Sequence, residues 1–222
     1  VCFPPSESAA QQLAGEGVVR GVHVVGDLMV DLAVRTARSL PKRSSVLERL
    51  GVEPGRYAVA TVHRASNTDD PAAFERIVAG LRRIGMRVVF PVHPRTRALA
   101  QRFELGADGD SIEPCDPLPY VAMIGLVAGA RLVLTDSGGL QKEAVALGVP
   151  CVTLRDETEW TATVECGWNA LAGTDPDRIA ELARRPIPTV PPSFDHPVGN
   201  SAETMARILN DSFKGAMVTV PG

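Results

Sequence analysis

Little in this sequence points towards a membrane, a metal or a nucleic acid. Long apolar runs are missing. The nearest candidate, "YVAMIGLVAGARLVL" at 120–134, is broken by Gly125, Gly129 and Arg131 and falls short of the ~18 residues of a spanning helix. No secretory signal pattern opens the chain. Basic runs are also absent, and a net charge of −3 over 222 residues gives a nucleic-acid partner no electrostatic support. Cysteine is sparse: Cys2, Cys115, Cys151 and Cys166 form no CxxC pair, which excludes a zinc ribbon and a disulfide framework. They are expected to be reduced and mostly buried thiols of a cytoplasmic protein. Neither the GxxxxGK[ST] phosphate loop nor GxGxxG occurs, so a P-loop and a dinucleotide fingerprint are both unsupported.

What is present is an alternation of short β-branched runs with helical stretches. Val22–Val25, Tyr57–Val62, Arg87–Val92, Arg131–Thr135, Pro150–Leu154 and Ala170–Gly173 read as strands. Helical periodicity falls at about 71–84, 96–104, 117–129, 139–148 and 176–184. Strands and helices in turn, with short connections, predict a parallel sheet wrapped by helices, an α/β layered fold. Asp70-Pro71 and Asp175-Pro176 each place a capping carboxylate before a proline at the first helical position. Segment 38–56 reads as a helix and loop at one edge, and the proline-rich stretch 183–201 as an irregular traverse. A last amphipathic helix follows, with Ser201 as its expected cap. The chain opens "VCFPPSESAAQQL", without Met and with an apolar run under way, so a preceding segment is expected, with residues 1–40 at its junction.

The clearest chemical signal is "LVLTDSGGLQKEAVALG", 132–148. In a parallel sheet ligands collect beyond the carboxyl ends of the strands. Here a strand runs directly into Ser137, Gly138 and Gly139 at the start of a helix. Bare glycine amides at the positive end of a helix dipole, with a serine hydroxyl beside them, suit an anion. Glu143 lies about one turn further on, where it would repel a phosphate but accept hydrogen bonds from a ribose diol. Phosphate plus diol points to a nucleoside diphosphate; the alternative is a tight turn that uses glycine for close packing. Two other strand ends carry chemistry. His63 and Arg64 leave one in "ATVHRASNTDD", and His93 leaves the next in "PVHPRTR". Arginine suits phosphate, and histidine exchanges protons near neutral pH. Trp160 and Trp168 share a loop rich in hydroxyls and charge, where anchoring of the loop onto the core is the alternative to a role at the site.

The blocks "TVHR", "PVHPRTR", "LVLTDSGGLQKEAVALGVPCVTLRDETEW" and "GWNALAGTDPDRI" resemble, in order, the carboxyl-terminal domain of the non-hydrolysing UDP-N-acetylglucosamine 2-epimerases. That resemblance implies a Rossmann-like parallel sheet with helices on both faces, one half of a GT-B-like two-domain enzyme that holds a UDP-sugar. It implies elimination of UDP across C1–C2 to a 2-acetamidoglucal and re-addition to the other face, giving UDP-N-acetylmannosamine without NAD or metal. By position, Ser137, Gly138 and Gly139 match the diphosphate-binding segment, Glu143 the ribose-binding carboxylate and His63 the active-site histidine, beside Arg64. Leu118 falls at the uracil edge, Met123 where an aromatic covers the base, and Trp160 where many members carry arginine. A homodimer is implied as well.

Several positions depart from the family pattern. Ser66 replaces the carboxylate of HRxEN, and a terminal aromatic-Asp-Gly-x-Ala motif is stretched into "FDHPVGNSAETM". The amino-terminal domain, with its Gly-Thr-Arg-Pro-Glu segment and carboxylates, is not within these 222 residues. A GT-B glycosyltransferase domain and a non-catalytic UDP-binding module are the alternatives to an epimerase half.

Overall fold

Six runs pair as parallel strands: β1 (Tyr57–Thr61), β2 (Arg87–Pro91), β3 (Ile112–Cys115), β4 (Leu132–Thr135), β5 (Cys151–Thr153) and β6 (Asn169–Leu171). Their order across the sheet is β3-β2-β1-β4-β5-β6. β1 lies centrally, with Ala58 in register with Val88 on one side and Leu132 on the other. The structure, a computed structural model, describes residues 1–41, 45–192, 194 and 198–217. The stretched motif expected near the terminus and the traverse before it fall partly outside these residues, at Ser193, Asp195, His196 and Pro197.

In chain order the helices are α1 (Glu7–Gly15), α2 (Leu28–Ser39), α3 (Ser45–Leu50), α4 (Ala65–Thr68), α5 (Pro71–Arg82), α6 (Arg97–Arg102), α7 (Tyr120–Ala128), α8 (Gly138–Ala146), α9 (Thr161–Glu165), α10 (Pro176–Ala183) and α11 (Ser201–Met217). Both Asp-Pro starts form as expected: Asp70 accepts the amide of Ala72, and Asp175 those of Asp177 and Arg178.

The sheet is covered on both faces. On one, Ala58, Ala60, Val88, Phe90, Ile112, Leu132, Leu134 and Val152 pack with Phe74, Ile77 and Leu81 of α5 and Ile179 of α10. Gly80 lets α5 and α10 meet, because a Cβ there would stand 2.9 Å from Ile179 Cβ. Strand side chains alternate in direction, so Tyr57 points to the opposite face, where its hydroxyl donates to the Leu126 carbonyl of α7 at 2.5 Å.

The chain divides into two units, Val1–Arg35 with Phe194–Gly222, and Thr36–Ser193. The sheet lies wholly in the second. In the first, Asp27 caps α2 through the amide of Met29, and Asp31 accepts the amides of Gly199 and Ser201.

Three expectations and one omission need correction. Val22–Val25 forms no strand; Val22 makes an isolated bridge with Cys2, because no second neighbour among the described residues extends the ladder. β3 went unread because Pro114 interrupts it, and proline is tolerated there only because β3 is the sheet's edge. Ser201 does not cap α11: its Oγ is buried without a hydrogen-bond partner, and Asp31 takes its amide. Of the four thiols only Cys151 is buried; Cys2 is exposed and Cys115 and Cys166 are half-buried.

Candidate functional site

The strand order reverses direction between β1 and β4, and in open α/β sheets that crevice is where ligands sit. Thr61 and Thr135, the last residues of those strands, join their hydroxyls at 2.6 Å. One residue beyond β4, Asp136 is fully buried. Its carboxylate accepts the amide of His63 at 3.0 and 3.1 Å, the amide of Arg64 at 2.8 Å and the Asn67 side-chain amide at 3.1 Å. Asn67 also donates to the Leu154 carbonyl at 2.9 Å, which ties the ends of β1, β4 and β5 together. A buried carboxylate surrounded by donors is strongly held, and it fixes where His63 and Arg64 leave the sheet.

His63 is half-buried, with Nδ1 3.6 Å from Asp136 Oδ1. Its ring lies against that of His93, centroids 5.2 Å apart and tilted by 32°. Burial holds the His63 imidazole below the ordinary histidine value; Asp136 opposes that shift, while His93 and Arg64 add to it. The neutral ring is therefore favoured near pH 7. His93 Nδ1 accepts the amide of Arg95 at 3.2 Å.

From β4 the chain turns into α8. Ser137 caps the helix by accepting the Leu140 amide, and its own amide donates to Thr135 Oγ1 at 2.9 Å. The first amides of a helix have no carbonyl of their own, so Gly138 and Gly139 present donors at the strand ends. A Cβ at 138 would displace the end of the half-exposed Glu159 side chain and stand 3.0 Å from Trp160 Nε1, so glycine keeps that side of the turn clear. Glu159 is itself held by Arg155 at 2.8 Å and by Arg64 at 3.4 Å. Trp160 Nε1 is buried and has no partner, while the Lys142 ammonium stands 3.7 Å from the centroid of the indole. Glu143, one turn into α8, is buried. With burial acting first and the Glu143 carboxylate adding to it, the Tyr120 hydroxyl is pushed up to about 12.

The structure thus brings His63, Arg64, Ser137, Gly138, Gly139, Glu143 and Trp160 to one sheet edge. Leu118, two residues before Tyr120, lines a cavity of about 900 Å³ with Arg49, Arg97, Gln101, Cys115 and Asp116. Met123 is half-buried on α7. Trp168 takes the structural role: it is buried and donates to the Val190 carbonyl at 2.9 Å. Asp136, Asn67, Lys142 and Glu159 are the participants that sequence reasoning missed. Asp136 begins the glycine turn and Asn67 ends "HRASN", but no spacing rule joins residues 69 positions apart. Among the described residues no group of three or more His, Cys, Asp and Glu is arranged to hold a metal ion, and no helix is long and apolar enough to cross a membrane.

Comparison with known proteins bears on the family. A "UDP-N-acetylglucosamine 2-epimerase homolog" of Methanococcus maripaludis is 40% identical over 185 residues, 82% of this chain and 52% of that protein. The UDP-2,3-diacetamido-2,3-dideoxy-D-glucuronate 2-epimerase of Pseudomonas aeruginosa is 41% identical over 190 residues, 83% of this chain and 51% of its own. Among solved structures, the Methanocaldococcus jannaschii UDP-GlcNAc 2-epimerase in complex with UDP-GlcNAc and UDP superposes with a TM-score of 0.83 at 32% identity. That match covers 94% of this chain and 60% of the other. The chain spans about half the length of the curated relatives it matches. The family model for UDP-N-acetylglucosamine 2-epimerases matches residues 1–210, a span that contains the whole sheet, and the chain belongs to that family.

Proposed function

We propose that this chain supplies the UDP-binding half of a UDP-N-acetylglucosamine 2-epimerase. The observation that carries the reading is the start of α8. In a member of this family, glycine amides at a helix N-terminus stand at the switch point of the sheet, beside Arg64 and His63.

In this reading the diphosphate lies on Ser137, Gly138 and Gly139, with Arg64 and Trp160 at its side. Glu143 accepts from the ribose hydroxyls, while Leu118 and Met123 flank the base. The reaction breaks C2–H and C1–O, and UDP leaves with the C–O electron pair as a C1=C2 double bond forms. Re-addition of UDP to C1, with protonation of C2 on the opposite face, gives UDP-N-acetylmannosamine. Donors at the phosphate stabilise the leaving group as its charge develops. A neutral His63 beside it can accept or pass on a proton. The C2 proton transfers need an acid and a base, and in this reading an amino-terminal domain outside these 222 residues supplies them. The whole enzyme, in the same reading, is a cytoplasmic homodimer that needs no NAD or metal.

The test is calorimetry with UDP on the 222-residue chain, together with proton NMR of a UDP-N-acetylglucosamine incubation. Binding of UDP without formation of UDP-N-acetylmannosamine is expected. A folded chain that ignores UDP would overturn the site, and turnover by this chain alone would overturn its role as a half.

A further inference from the structure

Trp160 has a property that a packing role does not explain. Its indole nitrogen is buried, yet no acceptor meets it. A buried N–H without an acceptor is costly, and such groups are rare unless a ligand completes them. The other indole is the contrast, since Trp168 Nε1 donates to the Val190 carbonyl at 2.9 Å.

Orientation narrows the choice of acceptor. The Lys142 ammonium stands 3.7 Å from the indole centroid, over one face of the ring, and Lys142 is itself buried. A cation on that face excludes a base or sugar from stacking there. What Trp160 offers is its edge. The N–H lies in the ring plane, and Nε1 is 3.0 Å from where a Cβ on Gly138 would be. The indole donor therefore adjoins the first turn of α8, where helix amides and dipole already favour an anion. Glu159 Oε1 approaches the same side of Gly138 but is engaged by Arg64 and accepts nothing from the indole.

We propose that the indole N–H of Trp160 is a neutral hydrogen-bond donor to the diphosphate of the bound nucleotide, and that Lys142, stacked on its ring, is the positioning residue that aims it. This rests on the reading of the α8 turn as a diphosphate site. An indole contributes no formal charge, so part of the leaving group's stabilisation here is directional hydrogen bonding, with the ammonium acting through the ring.

The experiment labels tryptophan with nitrogen-15 in the 222-residue chain and follows the two indole N–H resonances, assigned with Trp168→Phe. UDP should move the Trp160 resonance downfield and leave that of Trp168 in place, whereas uridine, which lacks phosphate, should move neither. Trp160→Phe keeps a ring over Lys142 but removes the N–H. It should weaken UDP about tenfold, as loss of one hydrogen bond to a charged group does, and leave uridine affinity unchanged. Lys142→Met should shrink the UDP-induced shift, and Lys142→Arg should restore it. If calorimetry shows UDP bound while the Trp160 resonance stays put, or if Trp160→Phe binds UDP like the parent, the donor role is wrong and the nucleotide reading survives. If the folded parent binds no UDP, both fall together.

Discussion

Asp136 receives the backbone amide of His63 across the sheet, one residue beyond the end of β4 meeting two beyond the end of β1. The two lie 73 positions apart in sequence. The arrangement makes the placement of the histidine a property of a buried carboxylate rather than of its own loop. Asp136→Asn would turn an NH₂ group towards donors that now share a carboxylate. We expect a loss of about 3 kcal/mol, the size seen when a buried charged hydrogen-bond hub is broken. Denaturant unfolding measures it, and a loss below about 1 kcal/mol would show that Asn67 and the two amides find other partners.

The direction of the His63 shift makes a prediction about pH. The folded state holds its imidazole below the ordinary histidine value of about 6.5. As pH falls through that value the unfolded chain takes the proton first, so the stability that a neutral His63 contributes is present above it and is lost on acidification. Carbon-bound proton NMR should give a His63 midpoint below the ordinary value. His93→Phe should raise that midpoint, because the lowering influence of the neighbouring His93 imidazole is removed. A midpoint above the ordinary value in the parent would mean that Asp136 outweighs burial.

Ser137→Ala with Gly138→Val removes the α8 cap and pushes a side chain into Glu159 and Trp160. UDP affinity should fall at least tenfold while the fold persists, given about 1.5–3 kcal/mol for each hydrogen bond to a charged group. Calorimetry beside circular dichroism decides it. Unchanged affinity in a folded variant would reduce the turn to a packing device.

In the complete enzyme, His63→Ala should lower turnover by roughly a hundredfold or more with little change in substrate affinity, as for a positioned proton-transfer group. His93→Ala should stay within about an order of magnitude, since His93 meets the site through a ring contact with His63. Steady-state kinetics on both variants compare them, and the reverse ranking would assign the chemistry to His93.

Gly80→Ala tests the fold away from the site. A helix interior favours alanine by about 1 kcal/mol, but here the new methyl would press on Ile179 Cβ, Cγ2 and Cδ1 at 2.9–3.0 Å. We expect a net loss of about 1–2 kcal/mol from overpacking. Stabilisation would show that α10 can slide away freely.

The parallel sheet was legible because strand and helix periods alternate cleanly, and Asp70-Pro71 and Asp175-Pro176 marked two helix starts at the residue. β3 was hidden by Pro114, which carries a turn signal inside an edge strand. The glycine turn and the strand-end histidines announced themselves through position on the sheet. The side chains that hold them did not. Asp136, Asn67, Glu159 and Lys142 act through contacts between distant segments, and local pattern records only what neighbours along the chain share. Ser201 shows the opposite case: its residue type fits a cap, but it stands inside α11 as the first helical residue, and Asp31, 170 positions away, takes its amide.

The central position of β1 also has a consequence in time. Its pairing with β2 needs contacts about 30 residues apart, whereas its pairing with β4 joins residues 74 apart. Distant pairings form slowly because chain entropy must be surrendered before they are rewarded. Half of the sheet can assemble while the crevice does not yet exist. The amides of His63 and Arg64 remain open to solvent until Asp136 arrives, so the moment at which they become slow to exchange dates the closing of the crevice.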